Sequence, residues 1–127
     1  MNIDWYNPSV GTPIVTIASY GLTFNKAAIS ELKDPPYIRV GYVRDRNFIV
    51  VQPVQTDEPD SMLFSERKRN DYIRVNSKDF IKFIARYCDL QLDKSVRIPA
   101  YWDDESSVLV VDLNKADMDS EEEDEVQ

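Results

Sequence analysis

The sequence predicts an α+β fold that is mostly β, with two tandem strand-helix-hairpin repeats packing as one barrel and a disordered acidic tail behind them. Two helical segments each follow a strand that ends in asparagine, Phe24-Asn25 in the first half and Val75-Asn76 in the second. Around them, runs of β-branched residues alternate with turn-forming stretches. Residues 116–127 hold seven acids and no base, a block that repels itself and buries nothing.

The first repeat covers about residues 12–54. Ile14-Val15-Thr16-Ile17 reads as a strand, Tyr20-Gly21 as a turn, and Leu22-Thr23-Phe24 as a second strand ending at the Asn25 cap. A short helix over about 26–33 places Ala28, Ile29 and Leu32 on one face, and Pro35-Pro36 stops it. Residues 37–43 and 48–51 then flank Arg44-Asp45-Arg46-Asn47 as a hairpin, and Pro53 closes the unit.

Residues 55–70 are polar, contain Pro59 and read as a surface linker, with Met62-Leu63-Phe64 sealing the edge of a core. The second repeat, about 71–114, keeps the order of the first. Tyr72-Ile73-Arg74-Val75 is a strand, Asn76-Ser77 a cap, 78–89 a helix, and 96–102 with 108–113 a hairpin around Asp103-Asp104-Glu105-Ser106-Ser107. Half-units of this size are too small to stand alone, so residues 1–115 are expected to share one core as a single domain.

Missing residue types exclude much chemistry. Without histidine there is no Ser-His-Asp or Cys-His nucleophile system and no imidazole ligand for a metal. The single cysteine, Cys88, forms neither an internal disulfide nor a zinc cluster, and it lies on the apolar side of its helix. Gly11, Gly21 and Gly41 are too far apart for a phosphate-cradling loop. The carboxylates of Asp103-Asp104-Glu105 fit a solvated turn better than a cation site. The expectation is therefore a non-enzyme with no cofactor and no metal site. No run is long and apolar enough to span a bilayer, and the N-terminus lacks an export-signal layout, so a cytoplasmic protein without a membrane partner is expected.

The formal charge of −8 sits almost wholly in the tail. Once its seven acids are set aside, 15 basic and 16 acidic residues remain over residues 1–115, a net of −1. The tail either keeps the chain soluble or competes with nucleic acid for the protein's own basic face.

The run Tyr20-Gly21-Leu22-Thr23-Phe24-Asn25-Lys26-Ala27-Ala28-Ile29-Ser30-Glu31-Leu32, with residues 37–43 and 48–53, resembles the AbrB/MazE/SpoVT swapped-hairpin domain. Gly21, Leu32 and Pro53 stand where that family's pattern places them, over about a third of the chain. The resemblance implies a swapped-hairpin-like barrel, closed in tandem or in a homodimer, and DNA binding as a transition-state regulator or antitoxin. Leu22, Asn25, Ala28 and Ser30 replace family residues, two of them where DNA-binding members often carry Arg, so the fold carries over further than the activity. The whole chain is also similar to small uncharacterised proteins of Gram-positive bacteria and their mobile elements.

Positive charge gives the functional handle. Between Arg67 and Arg97 there are nine basic residues against four acids. Lys78, Lys82 and Arg86 fall on one side of the second helix, with Phe80, Ile81, Phe83, Ile84, Tyr87 and Cys88 on the other. This ridge is either the solvated side of an amphipathic helix or, with Arg67, Lys68 and Arg69 on the linker, Arg74 on the strand, and Arg44 and Arg46 at the first hairpin tip, the expected phosphate-contacting set for DNA. The competing expectation is a protein-binding or structural component of a phage or mobile element, acting through the aromatic arm of Trp5, Tyr6 and Pro8 or through the acidic tail.

Overall fold

The computed structural model describes residues 1–3, 5, 8, 11–90 and 92–116. Of the expected acidic tail at 116–127, Ala116 is instead buried against the core at the end of the last 3₁₀ turn, while 117–127 and Tyr6 of the expected arm lie outside the described residues, and Trp5 is exposed.

Strands β1 (Ile14–Ala18) and β2 (Gly21–Phe24) form a hairpin that hands over to helix α1 (Lys26–Glu31) at Asn25. The Asn25 Oδ1 accepts from the backbone N–H of Ala28 at 2.9 Å and of Ile14 at 3.0 Å, while its Nδ2 donates to the Thr12 carbonyl at 2.9 Å. One side-chain amide thus caps the helix and fixes the start of the first strand. Helix α1 buries Ala27, Ala28 and Ile29 and ends at Leu32. Lys33 and Asp34 then adopt left-handed φ values of 63° and 47°, which turn the chain before Pro35-Pro36.

Strands β3 (Tyr37–Val43) and β4 (Phe48–Val54) pair along their full length. Pro53 lies inside β4 opposite Ile38, not beyond it. Strand β9 (Val108–Asp112) pairs with β4 only over Phe48–Val51, so the missing proline N–H breaks no bond on that side. Strand β8 (Val96–Asp103) completes the second hairpin with β9.

The stretch expected as a surface linker instead carries both edges of the sheet. Strand β5 (Met62–Leu63) pairs with β3, a 3₁₀ turn covers Ser65–Arg67, and β6 (Lys68–Arg69) pairs with β7 (Tyr72–Asn76). The nine antiparallel strands found among the described residues run β5-β3-β4-β9-β8-β1-β2-β7-β6. Laid flat, nine strands would hold their outer members about 38 Å apart at the usual spacing. Leu63 and Lys68 are only five residues apart, a reach of about 18 Å at most. The sheet is therefore curled into a half-barrel, with consecutive strands at its two edges.

The hollow is filled by the inward residues of every long strand: Val15, Ile17, Leu22, Phe24, Ile38, Ile49, Val51, Ile73, Val75, Ile98, Leu109 and Val111, joined by Ala28, Ile29 and Leu32 of α1. Phe64, from the crossing segment, is fully buried among them. Its backbone N–H donates to the Pro36 carbonyl at 2.9 Å, and the Ser65 hydroxyl donates to the Pro35 carbonyl, which stitches the crossing to the end of α1. Gly21 is required where β2 meets β7. Its φ is 145°, and a Cβ there would lie 2.1 Å from the Val75 carbonyl oxygen.

Helix α2 (Lys78–Ile84) departs from expectation at both ends. Asn76 does not cap it: held in β7 opposite Gly21, Asn76 remains extended, and the N-cap passes to Ser77, whose side chain makes no capping bond. The helix also stops at Ile84 instead of continuing to Asp89. Arg86 and Tyr87 donate to carbonyls three residues back, and this tighter winding carries Tyr87 against the first hairpin.

Candidate nucleic-acid interface

Burial along β7 alternates strictly: Ile73 and Val75 point into the core, while Tyr72, Arg74 and Asn76 face out. On the adjoining β6, Arg69 stands opposite Tyr72. Arg67 closes the 3₁₀ turn immediately before it. Together, Glu66, Arg67, Lys68, Arg69, Tyr72, Arg74 and Asn76 line a groove of about 360 Å³. Four cations and one carboxylate converge there.

The cations are not equivalent. Lys68 donates to the Asp34 carboxylate at 2.6 Å, so its charge is already matched. That bond, helped by the Ser65 hydroxyl, holds the Asp34 carboxyl below its ordinary range. Arg74 lies over the Tyr20 ring, 4.7 Å from its centroid. The Tyr20 hydroxyl in turn contacts the Thr23 hydroxyl at 3.4 Å, so the guanidinium rests on a held ring. Among the described residues, Arg67, Arg69 and Arg74 form no ion pair.

The remaining expected cations lie elsewhere. Lys78 and Lys82 are exposed on α2, whereas Arg86 falls in the turn beyond the helix. The expected three-residue ridge on one helix is thus two lysines and a separate arginine, because the helix ends early. Arg44 and Arg46 sit in the turn between β3 and β4, and Arg44 stacks on the Tyr87 ring at 4.0 Å.

The apolar side of α2 is also divided. Ile81 and Ile84 are buried and Phe80 and Cys88 are half-buried, but Phe83 and Tyr87 are exposed by 43% and 40%. Phe80, Phe83, Tyr87 and Tyr42 form a continuous chain of ring contacts with centroid separations of 5.6–6.4 Å. Beside it, burial pushes both the Cys88 thiol and the Tyr42 hydroxyl above their ordinary pKa ranges.

Sequence reasoning found the arginines of the groove but missed Tyr20, Tyr72 and Asn76. The two-residue alternation of β7 carries the signal for Tyr72 and Asn76. Tyr20 has no local signal, since it meets Arg74 only through the pairing of β2 with β7. Among the described residues no group of three or more histidine, cysteine or acidic side chains is arranged to hold a metal, and no helix is long and apolar enough to cross a membrane. No family model, curated protein or solved structure matches this chain.

Proposed function

We propose that this protein is a non-enzymatic, cytoplasmic nucleic-acid-binding module of the AbrB-like regulator or antitoxin type, which contacts phosphates mainly through β6 and β7. The observation that carries this proposal is the convergence of Arg67, Arg69 and Arg74 on one groove. Like charges held this close repel, and a chain of phosphates relieves that repulsion while releasing its own counterions. Lys78 and Lys82, exposed on α2 outside the groove, are further cations open to phosphate, and the carboxylates of residues 117–127 compete with phosphate for the groove.

The fold, on this proposal, is two tandem repeats closed in the swapped-hairpin manner. In support, β2 meets β7 antiparallel about Thr23 and Arg74, and β4 meets β9 antiparallel about Val50 and Val110. Each strand thus pairs with its counterpart from the other half, as it would across a two-fold axis.

The test is fluorescence anisotropy with labelled oligonucleotides over a salt series, comparing the whole chain with the triple variant Arg67→Ala, Arg69→Ala, Arg74→Ala. Wild-type binding that weakens steeply with salt is expected, with the slope of log K against log salt reduced by about 2–3 in the variant. Absence of wild-type binding at low salt, or a variant that binds equally well, removes the proposal.

A second reading is a protein-binding or structural component of a phage or mobile element that acts through the aromatic N-terminal arm or the acidic tail, and the exposed rings of Trp5, Phe83 and Tyr87 favour it. Deleting residues 117–127 separates the two. A gain in oligonucleotide affinity supports the first, and loss of a protein partner supports the second.

A further inference from the structure

We infer that the groove between Arg67 and Asn76 takes a single strand of nucleic acid, with phosphates on Arg67, Arg69 and Arg74 and a base stacked on Tyr72, an inference that rests on the phosphate-binding role above. Three features of the site distinguish a single strand from a duplex.

The first is an open ring among cations. Tyr72 is 37% exposed, lines the groove and makes no ring contact among the described residues. Tyr20 and Tyr87, by contrast, already carry a guanidinium on their faces. An exposed ring flanked by Arg69 and Arg74 offers stacking only to an unstacked base, because the base faces of a duplex are covered by their neighbours.

The second is shape. Reading a duplex calls for a protruding element that enters a major groove about 12 Å wide. Here the arginines line a depression in the protein. Helix α2 is seven residues long, about 10 Å, and spends Ile81 and Ile84 on the core.

The third is spacing. Tyr72, Arg74 and Asn76 follow one another along β7 at the two-residue strand repeat, about 6.8 Å. A ring, a cation and an amide on one line provide a stacking face, a phosphate partner and a hydrogen-bonding group for base edges. This is the division of labour by which sheet faces hold single strands.

The experiment is anisotropy at low salt with a labelled 20-residue oligo(dT) and a 20-base-pair duplex, on the whole chain and on Tyr72→Leu and Tyr72→Phe. We expect oligo(dT) to bind at least about tenfold more tightly than the duplex, and Tyr72→Leu to weaken oligo(dT) binding by about five- to a hundredfold. Duplex affinity should move less than about twofold in that variant, and Tyr72→Phe should keep the wild-type preference. A duplex that binds as tightly as oligo(dT), or a Tyr72→Leu protein that loses nothing, overturns the single-strand assignment but leaves the phosphate role standing. Failure of both probes to bind overturns the two together.

Discussion

The ring of Phe64 meets that of Phe24 edge-on, with centroids 5.1 Å apart and planes at 89°. Both side chains are fully buried. Phe64 thus joins the segment that crosses between the sheet edges to the strand at the heart of the core. Phe64→Ala is expected to cost about 3–5 kcal/mol, because the cavity opens where the sheet is least continuous. Urea unfolding followed by tryptophan fluorescence measures it, and a loss below about 1 kcal/mol would show that the crossing packs loosely.

Asn25 makes three hydrogen bonds with one side chain, two as acceptor and one as donor. Asn25→Ala is expected to destabilise by about 1–3 kcal/mol, more than an ordinary cap, since a strand N–H is orphaned together with a helical one. Amide exchange should accelerate at both Ile14 and Ala28. Acceleration at Ala28 alone would reduce the residue to a simple cap.

At Gly21, the β2–β7 pairing depends on the absence of a side chain. Gly21→Ala places a methyl group against the Val75 carbonyl and the Ser77 N–H, and those backbone groups must separate. A loss of more than about 2 kcal/mol is expected, together with weaker oligonucleotide binding, because Arg74 sits in the displaced strand. A variant of wild-type stability would contradict the tight approach.

The Lys68–Asp34 pair yields a pH signature. The folded-state pKa of Asp34 is lowered, so the pair stabilises the protein above the ordinary carboxyl value of 3.8 and loses that contribution as pH falls through the folded value. The effect is small, because the two side chains are 38% and 47% exposed. Lys68→Met should lower the urea midpoint slightly at pH 7, and the difference from wild type should shrink as the pH is taken progressively below 3.8. A decrease that stays constant across that range would assign the loss to packing of the lysine stem.

Cys88 should resist alkylation. Its thiol donates to the Ile84 carbonyl at 3.2 Å, and burial keeps it protonated near neutrality. Reaction with a thiol reagent at pH 8 is expected to be at least about tenfold slower in the folded protein than in urea. Comparable rates would place the sulfur at the surface.

Several of these features were legible in the residues alone. The β-branched runs located the long strands, and both hairpins form around the expected turns, because short strands with local partners are specified locally. Arg67, Lys68, Arg69 and Arg74 were recognisable as a cluster and share one groove. What escaped depends on contacts distant in sequence. Phe-Asn and Val-Asn look alike before their helices, yet Asn25 caps while Asn76 stays in the ladder, because only Asn76 has Gly21 across from it. The apolar period of α2 continues to Cys88, but Ile81 and Ile84 are the side chains from it that the core buries, which leaves Phe83 and Tyr87 partly exposed. Met62-Leu63-Phe64 was legible as a seal at the core edge, but that Phe64 lies wholly inside while Leu63 is exposed follows from where β5 and β6 find partners.

Because the outermost strands are neighbours along the polypeptide, neither rim can peel away without dragging the other. Cutting the backbone within Ser65–Arg67 would release both at once and bare the flanks of β3 and β7 to strand-seeking neighbours. The pairing of both rims therefore hangs on the same three-residue turn, which also places Arg67 in the groove beside β6 and β7.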